Sequence, residues 1–92
     1  MFYVYIIKSL KNDGLYIGYA DDLRDRIAKH NSGKSSYTKK YLPWKLVYYE
    51  AYLSKKDALI REKRLKQFAK GYAQLKRRIK NSLEYKKPKG VG

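Results

Sequence analysis

Cysteine is absent from the chain, so neither a disulfide framework nor a thiolate zinc site can form. That absence fits a reducing compartment. The start, Met1-Phe2-Tyr3-Val4-Tyr5, lacks the basic opening of a secretory signal and reads as the first strand of a cytoplasmic protein. Long apolar runs are missing too: none approaches the roughly 20 residues of a membrane-spanning helix. The basic helices lack the wide, bulky apolar face that inserts into a membrane surface, so no membrane partner is expected. Acidic residues are scarce, with 8 Asp and Glu against 23 Lys and Arg and a net charge of +15. Solubility alone needs far less charge. A polyanion is the simplest partner, because neutralising phosphates releases their counterions. At 92 residues the chain is long enough for one domain with a modest core, and a monomer is expected.

What the chain has in quantity is tyrosine, eleven in all. Phe2–Ile7 reads as a strand with Tyr3, Tyr5 and Ile7 on one face and Phe2, Val4 and Ile6 on the other. Both faces are apolar or aromatic, as in a central strand covered on both sides. Lys11-Asn12-Asp13-Gly14 is a turn signal, since Asp-Gly tolerates positive φ, and Leu15–Ala20 is the returning strand. Asp21 or Asp22 can cap a helix over 22–32 that buries Leu23 and Ile27 and ends at Asn31-Ser32-Gly33. A Ser-, Lys- and Tyr-rich loop over 34–43 leads to an aromatic strand over 44–53. Ser54-x-x-Asp57 resembles a capping box. It opens a long helix to about Lys70, Gly71 breaks that helix, and a last helix over 72–83 buries Leu75, Ile79 and Leu83. The order ββαβαα predicts an α/β fold, a small three-stranded sheet flanked by helices. One domain spans 1–83, and 84–92 form a basic flexible tail.

Several residues carry chemistry in this pattern. The hairpin brings Tyr5 and Tyr16 onto paired strands, and Arg26 and His30 are neighbours at i and i+4 on the following helix. Hydroxyls, a guanidinium and an imidazole on one patch suit a phosphate. Glu62 interrupts an inward stripe of Ala58, Leu65 and Ala69, and a carboxylate there needs a partner. Two readings stand: an ion pair with Arg26, Lys66 or Arg61, or a hard oxygen ligand for Mg²⁺.

The triplets Tyr3-Val4-Tyr5 and Tyr16-Ile17-Gly18, the helix Asp22-Leu23-x-x-Arg26-x-x-x-His30-Asn31 and Glu62 stand in the order found in the GIY-YIG nucleases. The chain resembles that family over residues 1–83, and most closely its small stand-alone bacterial members, relatives of the excinuclease C N-terminal domain. The resemblance implies that Tyr5 and Tyr16 line the active site and activate or position water. It implies that Arg26 clamps the scissile phosphate, His30 passes protons or hydrogen-bonds a tyrosine, and Glu62 binds Mg²⁺ or Mn²⁺. Some relatives carry a lysine after the motif glycine, where Tyr19 stands here, so His30, Lys8 or Arg26 would be the activating cation. Gly18 would keep the approach of phosphate or helix clear. Many members also carry an asparagine near the end of the domain. Asn81 is the candidate, although its surroundings do not match the motif. Tyr37, Thr38, Lys39, Lys40 and Lys66 are candidates for binding nucleic acid.

The expected function is therefore a metal-dependent endonuclease acting on DNA or structured nucleic acid. The alternative is a non-catalytic protein that binds DNA or ribosomal RNA, for which charge and aromatic residues suffice.

Overall fold

The computed structural model describes residues 1–86. The predicted sheet forms with all three strands: β1 (Phe2–Ser9), β2 (Leu15–Ala20) and β3 (Trp44–Tyr52), ordered β2-β1-β3 and antiparallel throughout. β1 is central, as its two apolar faces require. Tyr5 pairs with Gly18 on one side and Tyr49 on the other. The β1–β2 turn is held by Ser9, a fully buried residue whose hydroxyl accepts from the backbone N–H groups of Lys11 and Asn12 at 3.1 and 3.2 Å. Asp13 adopts the positive φ, 62°.

Helix α1 (Leu23–Asn31) is capped by Asp22, whose carboxylate accepts from Asp25 N–H at 3.0 Å. A single 3-10 turn, Thr38–Tyr41, lies in the predicted loop. Helix α2 (Lys55–Gln67) is capped by Ser54, and is followed by α3 (Ala69–Arg78) and a short α4 (Lys80–Leu83). Alternation along β1 splits the core in two. Val4, Ile6 and Ile17 pack with Ala58, Leu65 and Leu75 of α2 and α3. Tyr5, Ile7, Ala20 and Trp44 pack with Leu23 and Ile27 of α1.

Two expectations about the helices are corrected. The break falls at Phe68, in extended backbone (φ −113°, ψ 101°), while Gly71 lies inside α3. Bending there lets Tyr72, Leu75 and Ile79 return to the cluster that Leu65 occupies. A straight continuation would have placed Ala69 on the inward stripe, but it is exposed. The second helix is also interrupted once more, at Ile79.

Of the predicted tail, residues 87–92 lie outside those described. Its first residues are engaged: the Tyr85 carbonyl accepts from Lys8 Nζ at 3.2 Å, and Lys45 Nζ stands 5.3 Å from the Tyr85 ring centre.

Candidate active site

The alternation that buries Tyr5 also sends Tyr16 to the same face of the sheet, their ring centres 6.5 Å apart. α1 crosses that face, and its last turn delivers His30 between them. The ring is 5.8 Å from Tyr5 and 5.1 Å from Tyr16, edge-on to both. His30 is 3% exposed and bonded at both nitrogens, Nε2 to the Tyr5 hydroxyl at 2.7 Å and Nδ1 to Thr38 Oγ1 at 3.0 Å. A neutral imidazole satisfies both contacts. When Nδ1–H donates to Thr38, Nε2 accepts from Tyr5, and in the other tautomer both directions reverse. Burial lowers the His30 pKa below its ordinary value, and the Arg26 guanidinium lowers it further.

Burial, and next the neighbouring Tyr16, push the Tyr5 hydroxyl well above the ordinary tyrosine range; Arg26 pulls it down, and Glu62 pushes it up. Both charges therefore act on the same hydroxyl. Tyr5 is 1% exposed. A buried phenol with a raised pKa does not serve as a free tyrosinate, so of the two motif tyrosines the less buried Tyr16 is the one placed to meet a substrate.

Gly18 is corrected in its reason. It pairs directly with Tyr5, and a Cβ on it would fall far inside contact distance of the Tyr5 ring and hydroxyl. The bare glycine makes room for Tyr5 itself, rather than for a phosphate or helix.

Glu62 reaches this face around the free edge of β2. α2 packs on the opposite side of the sheet, yet Lys66 Nζ stands 5.8 Å from the Tyr16 ring centre and donates to Glu62 Oε2 at 3.2 Å. Of the three possible ion-pair partners, Lys66 is the one observed. Arg61 instead forks onto Glu50 at 2.9 and 3.0 Å. The Tyr48 and Tyr52 hydroxyls donate to the same carboxylate. Burial raises the Glu50 pKa, but the hydrogen bonds from Arg61, Tyr48 and Tyr52 outweigh it and hold the group below the usual glutamate value.

Glu62 Oε1 has no hydrogen-bond partner among the described residues, and the side chain is 21% exposed. Among the described residues no group of three His, Cys, Asp or Glu side chains could enclose an ion. The free Oε1 of Glu62 is a hard oxygen donor of the kind Mg²⁺ or Mn²⁺ takes, and a cation held there would complete its shell with water and substrate phosphate.

Three further expectations change. Lys8 is no activating cation: it is nearly buried on the other face of β1, where Nζ donates to the Leu83 carbonyl at 2.6 Å, at the end of α4. Thr38 does not touch nucleic acid, since it is fully buried beneath His30. Asn81 is exposed at the α3–α4 corner beside Arg77, Arg78 and Lys80, in a hollow that shares no residue with the tyrosine cleft. Tyr37 is 60% exposed, its ring 5.8 Å from Tyr16, and Lys39 and Lys40 are exposed beside it.

Local pattern did not reveal Thr38 as a partner of His30, because the contact is made by a loop. Asn31 carries no sequence signal beyond marking a helix end. Its amide bridges α1 to β3, Nδ2 donating to the Trp44 carbonyl at 2.9 Å and Oδ1 accepting from Trp44 N–H at 2.7 Å.

A small antiparallel sheet carrying two tyrosines on one face, a helix with Arg and His, and a glutamate at the sheet edge form the arrangement that the resemblance to a nuclease family implies. Residues 1–73 match the GIY-YIG catalytic domain, and the chain belongs to that family. Its relatives include small proteins of the UPF0213 group. UPF0213 protein SERP0126 of Staphylococcus epidermidis is 49% identical over 70 residues, covering 74% of this chain and 83% of that one. A UPF0213 protein of Streptococcus pneumoniae is 43% identical over 65 residues, covering 70% and 65%. The solution NMR structure of the UPF0213 protein BH0048 from Bacillus halodurans shares 38% identity over 82% of each chain, with a TM-score of 0.52.

Proposed function

We propose that the protein is a metal-assisted endonuclease that hydrolyses phosphodiester bonds in DNA or structured nucleic acid. The observation that carries the reading is the buried Tyr5–His30–Thr38 chain set behind Tyr16, with the charges of Arg26 and Glu62 both acting on it. Tyr16 faces the cleft, and its hydroxyl makes no hydrogen bond among the described residues, so it is free to orient an attacking water. Tyr5 and Thr38 are positioning residues that lock the His30 ring against Tyr16, and burial holds that ring neutral. Arg26, exposed and without an ion pair among the described residues, holds the phosphate and stabilises the charge that develops on it. Glu62 would hold Mg²⁺ or Mn²⁺, which when bound supplies electrostatic stabilisation at phosphate oxygens. Water forms the new bond to phosphorus as the ester oxygen departs and takes a proton from solvent, while the proton lost by the attacking water passes to solvent at the open side of Tyr16.

A second reading has its own support. Lys66 already neutralises Glu62 at 3.2 Å, as a domain that only binds nucleic acid would have it. Cleavage of duplex, branched, single-stranded and RNA probes, with and without Mg²⁺, separates the two. Glu62→Gln should abolish cleavage, a loss of at least about 100-fold, with binding kept. Arg26→Ala should lose cleavage and some binding. Full activity in Glu62→Gln would reject the metal role, and tight binding without cleavage by the unaltered protein would favour the second reading.

A further inference from the structure

Beside the catalytic cluster, a cleft of about 370 Å³ opens between β2 and the α2–α3 corner. Tyr16, Tyr37 and Tyr72 line it together with Leu65 and Lys66. Its volume is at the lower end of the roughly 300–1,000 Å³ typical of small-ligand sites, which suits one planar ring system. Cations stand over two of the tyrosines: Lys66 Nζ 5.8 Å from the Tyr16 ring centre and Lys76 Nζ 4.6 Å from that of Tyr72. Tyr37 is largely exposed, while Tyr72 is half-buried, braced by the core around Leu65 and Leu75. The bend at Phe68 creates the arrangement. A helix continuing straight through residue 68 would carry Tyr72 away from β2.

Aromatic faces with ammonium groups at the rim match a nucleotide, whose base stacks on tyrosine while its phosphates meet lysine. In a duplex the faces of each base are covered by its neighbours, so only an unstacked base can enter such a cleft. We propose that this cleft is a binding site for one unstacked nucleobase adjoining the scissile phosphate, and that nucleic acids with an unpaired nucleotide are the preferred substrates. The inference rests on the nuclease reading for its substrate class, but it makes its own demand on affinity. Tyr72 and Lys76 thereby become specificity-determining residues.

The test is binding by fluorescence anisotropy, without added metal, to two labelled DNAs. One is fully paired, and the other is identical but carries a single unpaired 2-aminopurine. Stacking on one aromatic residue corresponds to roughly a tenfold gain, so the unpaired probe should bind about tenfold more tightly, with its 2-aminopurine fluorescence quenched. Tyr72→Leu keeps apolar packing and loses the ring face, so the ratio of the two affinities should fall towards one. Tyr72→Phe should restore both the ratio and the quenching. Equal affinity for the two DNAs, or a ratio unchanged in Tyr72→Leu, would overturn the base site and leave the nuclease reading standing. Failure to bind either DNA at low salt would overturn both. Preferential binding without cleavage when Mg²⁺ is added would uphold the base site and count against the nuclease reading alone.

Discussion

At the scale of single residues, the site depends on groups that fill or vacate very small volumes. Gly18 faces Tyr5 across the β1–β2 ladder, and Tyr5 is locked by its bond to His30, so a methyl group at residue 18 has nowhere to go. Gly18→Ala is expected to destabilise the fold by about 1–3 kcal/mol. It should also reduce cleavage sharply, because the Tyr5 hydroxyl must leave His30. Urea denaturation and cleavage assays on the same preparation check this, and a variant with unaltered stability would contradict the packing argument. His30 makes a prediction about pH. Its folded pKa lies below the unfolded value of about 6.5. Above that value neither state takes up the proton, and the contribution of the neutral ring is intact. As pH falls through about 6.5 the unfolded chain gains a proton that the folded protein refuses, and stability declines until the folded pKa is passed. His30→Gln should flatten the stability profile between about pH 7 and 5.5. Equal slopes for the two proteins in denaturation titrations would show that His30 is not held neutral.

At the scale of elements, the helices test how far local pattern reaches. Gly71 lies inside α3 with open space where a Cβ would stand. Gly71→Ala should therefore stabilise the protein by about 0.5–1 kcal/mol, read as a raised urea midpoint; destabilisation would mean that the backbone there needs glycine. The same residue shows why sequence reading misplaced the bend. Glycine is a generic helix breaker, but the turn at Phe68 is set by where Tyr72 and Leu75 find core, a tertiary fact with no local mark. The sheet was legible because alternation in Phe2–Ile7 and the Asp13-Gly14 turn are local signals. The placing of Tyr5 and Tyr16 on one sheet face and the approach of His30 follow from those signals and from helical spacing. Thr38 beneath His30, Lys8 at the end of α4 and the Glu50–Arg61 pair were not legible, since each joins segments whose meeting depends on the whole packing. Glu62 was legible as an anomaly on its stripe, whereas its route around the edge of β2 to Tyr16 was not.

At the scale of the whole molecule, a net charge of +15 dominates how any partner is met. Much of that charge is unpaired. Ion pairs among the described residues engage Lys8, Lys29, Arg61, Lys66 and Lys80, while Lys70, Lys76, Arg77 and Arg78 along α3 have none. Among the described residues no helix is long and apolar enough to cross a membrane. Phosphate contacts along α3 would continue from the tyrosine cleft at Tyr72 to the α3–α4 corner at Arg78, a rise of about 9 Å along the helix axis. Binding should accordingly weaken steeply as salt increases from about 50 to 200 mM, with a log–log slope of several units. Reversing Arg77 and Arg78 together to Glu should reduce the magnitude of that slope by about two, one for each lost phosphate contact. Tyr16→Phe, which changes no charge, should leave the slope as it was while impairing cleavage. Anisotropy titrations of a single duplex across that salt range measure all three proteins. A flat dependence in the unaltered protein would mean that its charge does not face the nucleic acid. An unchanged slope in the Arg77/Arg78 variant would move the contact surface away from α3, and leave α2 and the loop around Lys39 and Lys40 to carry it.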